Sequence, residues 1–194
     1  MQQQRRRIFT VPNQITLLRL GFLPIFLTLI AYQRYRWALL VLVVAGLSDA
    51  IDGLLARKLN QRSSLGAYLD PIADKLLLSS SFIILAYKTR IAWWTTIIVI
   101  SRDILMLTVA TVIILISGYR PFPPSILGKL TTFFEIVLVF TVVLTAAYPQ
   151  FHSRLLHNTL VDIVTFCAAA SALHYSFLVT RHHPPPAQTS ASID

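Results

Sequence analysis

Four aspartates carry most of the chemistry that can be read from this chain. Asp49 and Asp52 are three residues apart, and Asp70 and Asp74 are four apart. On a helix, either spacing puts both carboxylates on one face. Four converging carboxylates raise one another's pKa unless cations compensate them. Oxygen-only ligands suit hard divalent ions, and no histidine or cysteine cluster offers a softer set. Two such ions bridged by carboxylates would clamp a phosphoryl group.

The surroundings of these acids are apolar. Of 194 residues, 55% are hydrophobic and 13% charged, a bias foreign to a soluble domain of this size. The bias comes from long apolar runs, placed at about 15–32, 37–57, 65–88, 92–117, 126–148 and 160–180, each near the ~20 residues of a spanning helix. Strand alternation is absent from the sequence. The expected fold is therefore an all-α integral membrane protein of six transmembrane helices. A short interfacial N-terminal segment carries Ile8, Phe9 and Val11 before a turn at Pro12-Asn13. Residues 1–181 form the membrane domain, and the proline-rich stretch 182–194 is expected to be a disordered tail.

Of the eight acidic residues, Asp49, Asp52, Asp70, Asp74, Asp103, Glu135 and Asp162 fall in or beside these segments, and only Asp194 is plainly outside. An aspartate at a bilayer centre costs about 2.5–3.5 kcal/mol, so each of the seven calls for a partner or a function. The short connection near 60–64 makes the second and third helices antiparallel neighbours, with both aspartate pairs at one depth, in the inner third of the bilayer. Gly53 and Ala56 share the face of Asp49 and Asp52 and leave room for a bulky ligand, while Gly66 lets helices approach. Arg57, at the mouth of the site, suits a phosphate or an acid.

The net charge of +9 is spread over the ends of the segments, so it marks membrane topology and not a nucleic-acid partner. Arg5, Arg6, Arg7, Arg57, Lys58, Arg62, Arg120, Lys129 and Arg181 flank one side, and Arg34, Arg36, Lys88, Arg90 and Arg154 the other. The bias puts both termini and the acids on the cytoplasmic side. No cleavage site follows the first apolar run, so the N-terminus reads as mature protein. Cys167 is a lone packed thiol. Trp37, Trp93 and Trp94 fit an outer interfacial belt. Glu135 and Asp162 read as interhelical partners. Arg102 is either a phosphate ligand or half of an ion pair; Asp103, adjacent in sequence, is expected on a different face.

Read in order, Asp49, Asp52-Gly53, Ala56-Arg57, Gly66, Asp70 and Asp74 resemble, at every position and spacing, the signature of the CDP-alcohol phosphatidyltransferase family. Pro12-Asn13, Thr16, Arg19, Asp70-Pro71, Asp74-Lys75 and Gly128-Lys129 extend the resemblance to bacterial members, over roughly residues 11–180. The resemblance implies a homodimeric six-helix bundle in the bacterial inner membrane, using two Mg²⁺ or Mn²⁺ ions. Asp49, Asp52, Asp70 and Asp74 would be metal ligands, with Asp74 also the general base. Gly53, Ala56, Arg57 and Gly66 would receive CDP-diacylglycerol, and Arg102, Arg120 and Lys129 the acceptor. The acceptor is expected to be of glycerol type, with glycerol 3-phosphate narrowly ahead of phosphatidylglycerol. Ser101-Arg102-Asp103 and Ala110 lean towards cardiolipin synthases, since phosphatidylglycerophosphate synthases typically carry Arg-Glu and a second Arg there. A divalent-cation channel or transporter is the competing class. It predicts acids along a through-going path instead of at one depth, and gives no reason for Ala56-Arg57 or for Gly66.

Overall fold

A computed structural model describes the backbone of residues 11–59, 66–117 and 126–181, and the side chains of 20–48, 75–109, 111 and 127–173. These residues form six α-helices and no strand: α1 (Val11–Ala31), α2 (Tyr35–Leu59), α3 (Gly66–Tyr87), α4 (Trp93–Ser117), α5 (Ile126–Ala147) and α6 (Arg154–Arg181). A 3₁₀ turn at Pro149–Phe151 joins the last two. By length and composition, α5 (Leu127–Ala147) and α6 (Arg154–Leu173) hold stretches able to cross a bilayer.

Two boundaries differ from expectation. No turn occurs at Pro12-Asn13, because Val11 already opens α1. Proline is favoured in a first helical turn, where its missing N–H has no partner to lose. Residues 1–10, and with them most of the expected interfacial segment, lie outside the described residues. The last helix begins at Arg154, six residues before the apolar run placed at 160, so its first turns mix Leu155 and Leu156 with the polar His157, Asn158 and Thr159.

Two of the three described connections, α1–α2 and α3–α4, close by the same device. Arg34 N–H donates to Leu29 O and Gln33 N–H to Ile30 O; Arg90 N–H donates to Leu85 O and Thr89 N–H to Ala86 O. Each is a Schellman cap whose left-handed residue is Gln33 (φ 58°) or Thr89 (φ 56°) instead of the usual glycine. Cations stacked on aromatic rings tie the three connections together. The Arg90 guanidinium lies 5.3 Å from the centre of the Tyr35 ring, and that of Arg36 lies 5.4 Å from Tyr148. All three turns therefore sit at one end of the bundle, and the helices run alternately away from it and back.

Below that end lies an apolar core of Phe26 and Ile30 from α1, Phe82 and Leu85 from α3, Leu138 and Val142 from α5, and Val164 and Ala168 from α6. α1 packs on α2 and α3, α5 on α2, α3 and α6, and α4 on α3 and α6. Among the described residues, α2 and α3 meet through α1 and α5 instead of packing directly on each other, as their short connection had led us to expect.

The distribution of polarity is inverted. Trp37, Leu47, Ile97, Ile104, Phe133 and Phe166 are exposed, whereas Arg102, Asp103 and Glu135 are buried. So broad an apolar exterior around buried ions is the pattern of a chain solvated by lipid.

Candidate active site

The bundle's common end serves as a ruler for depth. At 1.5 Å per residue, Asp49 lies about 21 Å along α2 from Tyr35, and Asp74 about 20 Å along α3 from Tyr87. Both helices remain regular through the four acidic positions, so the three- and four-residue spacings stay on helical backbone. Four carboxylate positions on two helices are a donor set that fits hard divalent ions. The side chains of Asp49, Asp52, Ala56, Arg57, Asp70 and Asp74, together with Gly53, Gly66 and Arg120, lie outside the described side chains.

Immediately after Asp74, Lys75 enters a buried ion network. Lys75 of α3 donates to Asp103 Oδ1 of α4 at 2.5 Å. Arg102 Nη1 donates to the same oxygen at 2.7 Å. Both cations approach Glu135 of α5: Lys75 Nζ is 3.9 Å from Oε2, and Arg102 Nη1 is 3.9 Å from Oε1. Arg102 Nη2 also donates to Gly128 O at 3.2 Å, and its Nε reaches Ser171 Oγ of α6 at 3.4 Å. Two basic and two acidic side chains, with Gly128 O and Ser171, thus join four helices.

This geometry overturns one expectation. Arg102 and Asp103 do pair, although their Cβ atoms leave the helix in different directions, because the long arginine side chain curls round to its neighbour's carboxylate. Glu135 is an interhelical partner, as its burial in a span requires. Asp162 is exposed on α6. Lys129, one residue beyond Gly128, is also exposed. Arg102 has all three guanidinium nitrogens engaged and is 1% exposed. Lys75 and Ser171 carry no assigned role in the sequence reading. A lysine inside an apolar segment, directly after Asp74, is the signal for the first; nothing singles out Ser171.

A groove of about 470 Å³ runs beside the network, walled by Leu42, Ala45, Gly46 and Leu47 of α2, Leu77 and Leu78 of α3, and Thr132, Ile136 and Phe140 of α5. Its α2 wall ends two residues before Asp49, and its α3 wall begins three residues after Asp74. The acids' helices therefore continue directly into an apolar slot.

The chain belongs to the CDP-alcohol phosphatidyltransferase family, whose pattern matches residues 9–182. It is 40% identical to "Cardiolipin synthase (CMP-forming)" of Streptomyces coelicolor over 67% of this chain and 63% of that protein. The human protein of the same name is 32% identical over 86% of this chain and 60% of its own length. "Probable phosphatidylglycerophosphate synthase" of Mycobacterium tuberculosis is 35% identical over 75% of this chain and 71% of that protein. The chain thus spans less than two thirds of either cardiolipin synthase.

Proposed function

We propose that this chain is a six-span membrane enzyme that transfers a phosphatidyl group from CDP-diacylglycerol to phosphatidylglycerol, releasing CMP and forming cardiolipin. The observation that carries the choice of acceptor is Arg102. The sequence places glycerol 3-phosphate narrowly ahead, with Arg102 either a phosphate ligand or half of an ion pair. A buried guanidinium already committed to Asp103, Gly128 O and Ser171 is poorly placed to take a dianionic phosphate as well. Phosphatidylglycerol presents an uncharged glycerol end and only a singly charged phosphodiester, so it asks for no buried cation beside the reacting hydroxyl. The names of two relatives support the same reading. Glycerol 3-phosphate is the second reading, favoured by exposed Lys129 and by the relative from M. tuberculosis.

Asp49, Asp52, Asp70 and Asp74 would hold two Mg²⁺ or Mn²⁺ ions, which when bound supply charge neutralisation to the pyrophosphate. Asp74 takes the proton of the acceptor hydroxyl. That oxygen bonds to the lipid-side phosphorus, the phosphoanhydride P–O bond breaks, and the bridging oxygen leaves with CMP. Gly53 and Ala56 leave space for the cytidine nucleotide, and Arg57 meets its phosphates. An acyl chain of the donor lies in the groove between α2, α3 and α5, whose lining is almost wholly apolar. Lys129 and Arg120 serve the phosphate of the acceptor. The enzyme acts as a homodimer in the bacterial inner membrane, with both termini and the site facing the cytoplasm.

The test is CMP release by the purified chain with CDP-diacylglycerol and Mg²⁺ or Mn²⁺, offering phosphatidylglycerol and glycerol 3-phosphate in separate reactions. Products are identified by mass spectrometry. Cardiolipin is the expected product; phosphatidylglycerophosphate alone would transfer the assignment to the second reading.

A further inference from the structure

We propose that Lys75, held by Asp103 and backed by Glu135 and Arg102, is a positioning residue that fixes Asp74 relative to α4 and α5. The inference rests on the phosphatidyl-transfer reading for the role of Asp74, and on the described geometry for everything else.

Lys75 directly follows Asp74 on a regular helix, so its anchorage fixes the rotation and height of the turn that carries Asp74. That anchorage is double: Asp103 Oδ1 at 2.5 Å and Glu135 Oε2 at 3.9 Å come from two different helices. The same Asp103 oxygen is held by Arg102, whose other nitrogens grip Gly128 O, beside Lys129, and Ser171. One continuous chain of contacts therefore leads from the turn bearing Asp74 to the turn bearing Lys129.

A brace built only for stability would be cheaper in hydrocarbon, because desolvating buried ion pairs commonly offsets their attraction. This network is costlier than most, since Asp103 Oδ2 and both carboxylate oxygens of Glu135 are buried without a hydrogen bond. What ions provide and methylenes do not is directional contact, which holds one register of α3 against its neighbours. With all four side chains ionised, the two cations and two anions of the network balance, so it adds no net charge beside the turn that carries Asp74. Its effect there is geometric.

That last point makes the proposal testable by sign. In the full-length chain, Mn²⁺ binding is measured by electron paramagnetic resonance, and kcat and KM by CMP release. Removing a lysine charge beside a cation site strengthens Mn²⁺ binding if charge is all that Lys75 contributes. If Lys75 positions the site, Lys75→Met weakens Mn²⁺ binding by about 10-fold or more, as loss of an outer-shell partner typically does. It also lowers kcat by about 10–100-fold while leaving the KM for acceptor nearly unchanged. Lys75→Arg, which can still reach Asp103, restores most of both. Lys75→Gln repeats the sign test if Lys75→Met fails to fold. Tighter Mn²⁺ binding, or unaltered binding and kcat in a folded variant that merely melts earlier, overturns the proposal. Weakened Mn²⁺ binding in Lys75→Met, from a parent chain that releases no CMP with any acceptor, would sink the proposed reaction and leave the positioning role standing.

Discussion

At Arg102 every guanidinium nitrogen already has an acceptor, and the side chain is sealed from its surroundings. Removing it would leave two buried carboxylates facing one lysine. Arg102→Met is therefore expected to destabilise the fold by about 3–5 kcal/mol, read as a lower melting temperature in detergent. A residue that only bound acceptor phosphate would lose affinity and keep its stability. Asp74→Asn is expected to lower CMP release by at least about 100-fold while donor binding stays measurable; undiminished turnover would remove Asp74 as the base. The four aspartates announce themselves in the sequence because ionised side chains are expensive in apolar segments and these four share helical spacings. The Arg102–Asp103 bond was hidden because helical spacing tells where Cβ atoms point, whereas an arginine tip reaches well beyond its own Cβ. Lys75 was readable only as a charge in need of a partner, since the partner lies 28 residues away on another helix.

The helices themselves were legible from apolar run length, which is why five of the six begin within a few residues of their expected positions. α6 starts early because a helix propagates through polar residues such as His157 and Asn158 that hydropathy reads as loop. The left-handed caps were not legible, since neither Gln33 nor Thr89 advertises a positive φ. Thr89 is β-branched and strained there, so Thr89→Gly is expected to stabilise the α3–α4 connection by about 1 kcal/mol, measurable by thermal melting. The groove offers a second test at this scale. A Cβ added at Gly46 meets nothing within 4 Å, and Gly46 lines the groove, so Gly46→Leu is expected to extend into the slot. Its expected effect is a rise of about tenfold in KM for long-chain CDP-diacylglycerol, smaller for short-chain donors; equal changes for both would argue that the acyl chain lies elsewhere.

For the molecule as a whole, the three described connections gathered at one end and acidic positions about 20 Å away along α2 and α3 predict a definite topology. With Cys167 replaced by Ser, cysteines introduced at Gln33 and Thr89 should react with an impermeant thiol reagent from one face of the membrane, and a cysteine at Lys58 from the other. Labelling of Gln33 and Thr89 positions from opposite faces would refute an alternating bundle. The neutrality of the buried ion network carries one more consequence, concerning the energised membrane. A displaced unit charge exchanges about 2.3 kcal/mol with each 100 mV of transmembrane potential. With all four side chains ionised, Lys75, Arg102, Asp103 and Glu135 sum to zero, and when they then move together the field does no net work on them. The brace can hold the same register whether the cell is polarised or starved.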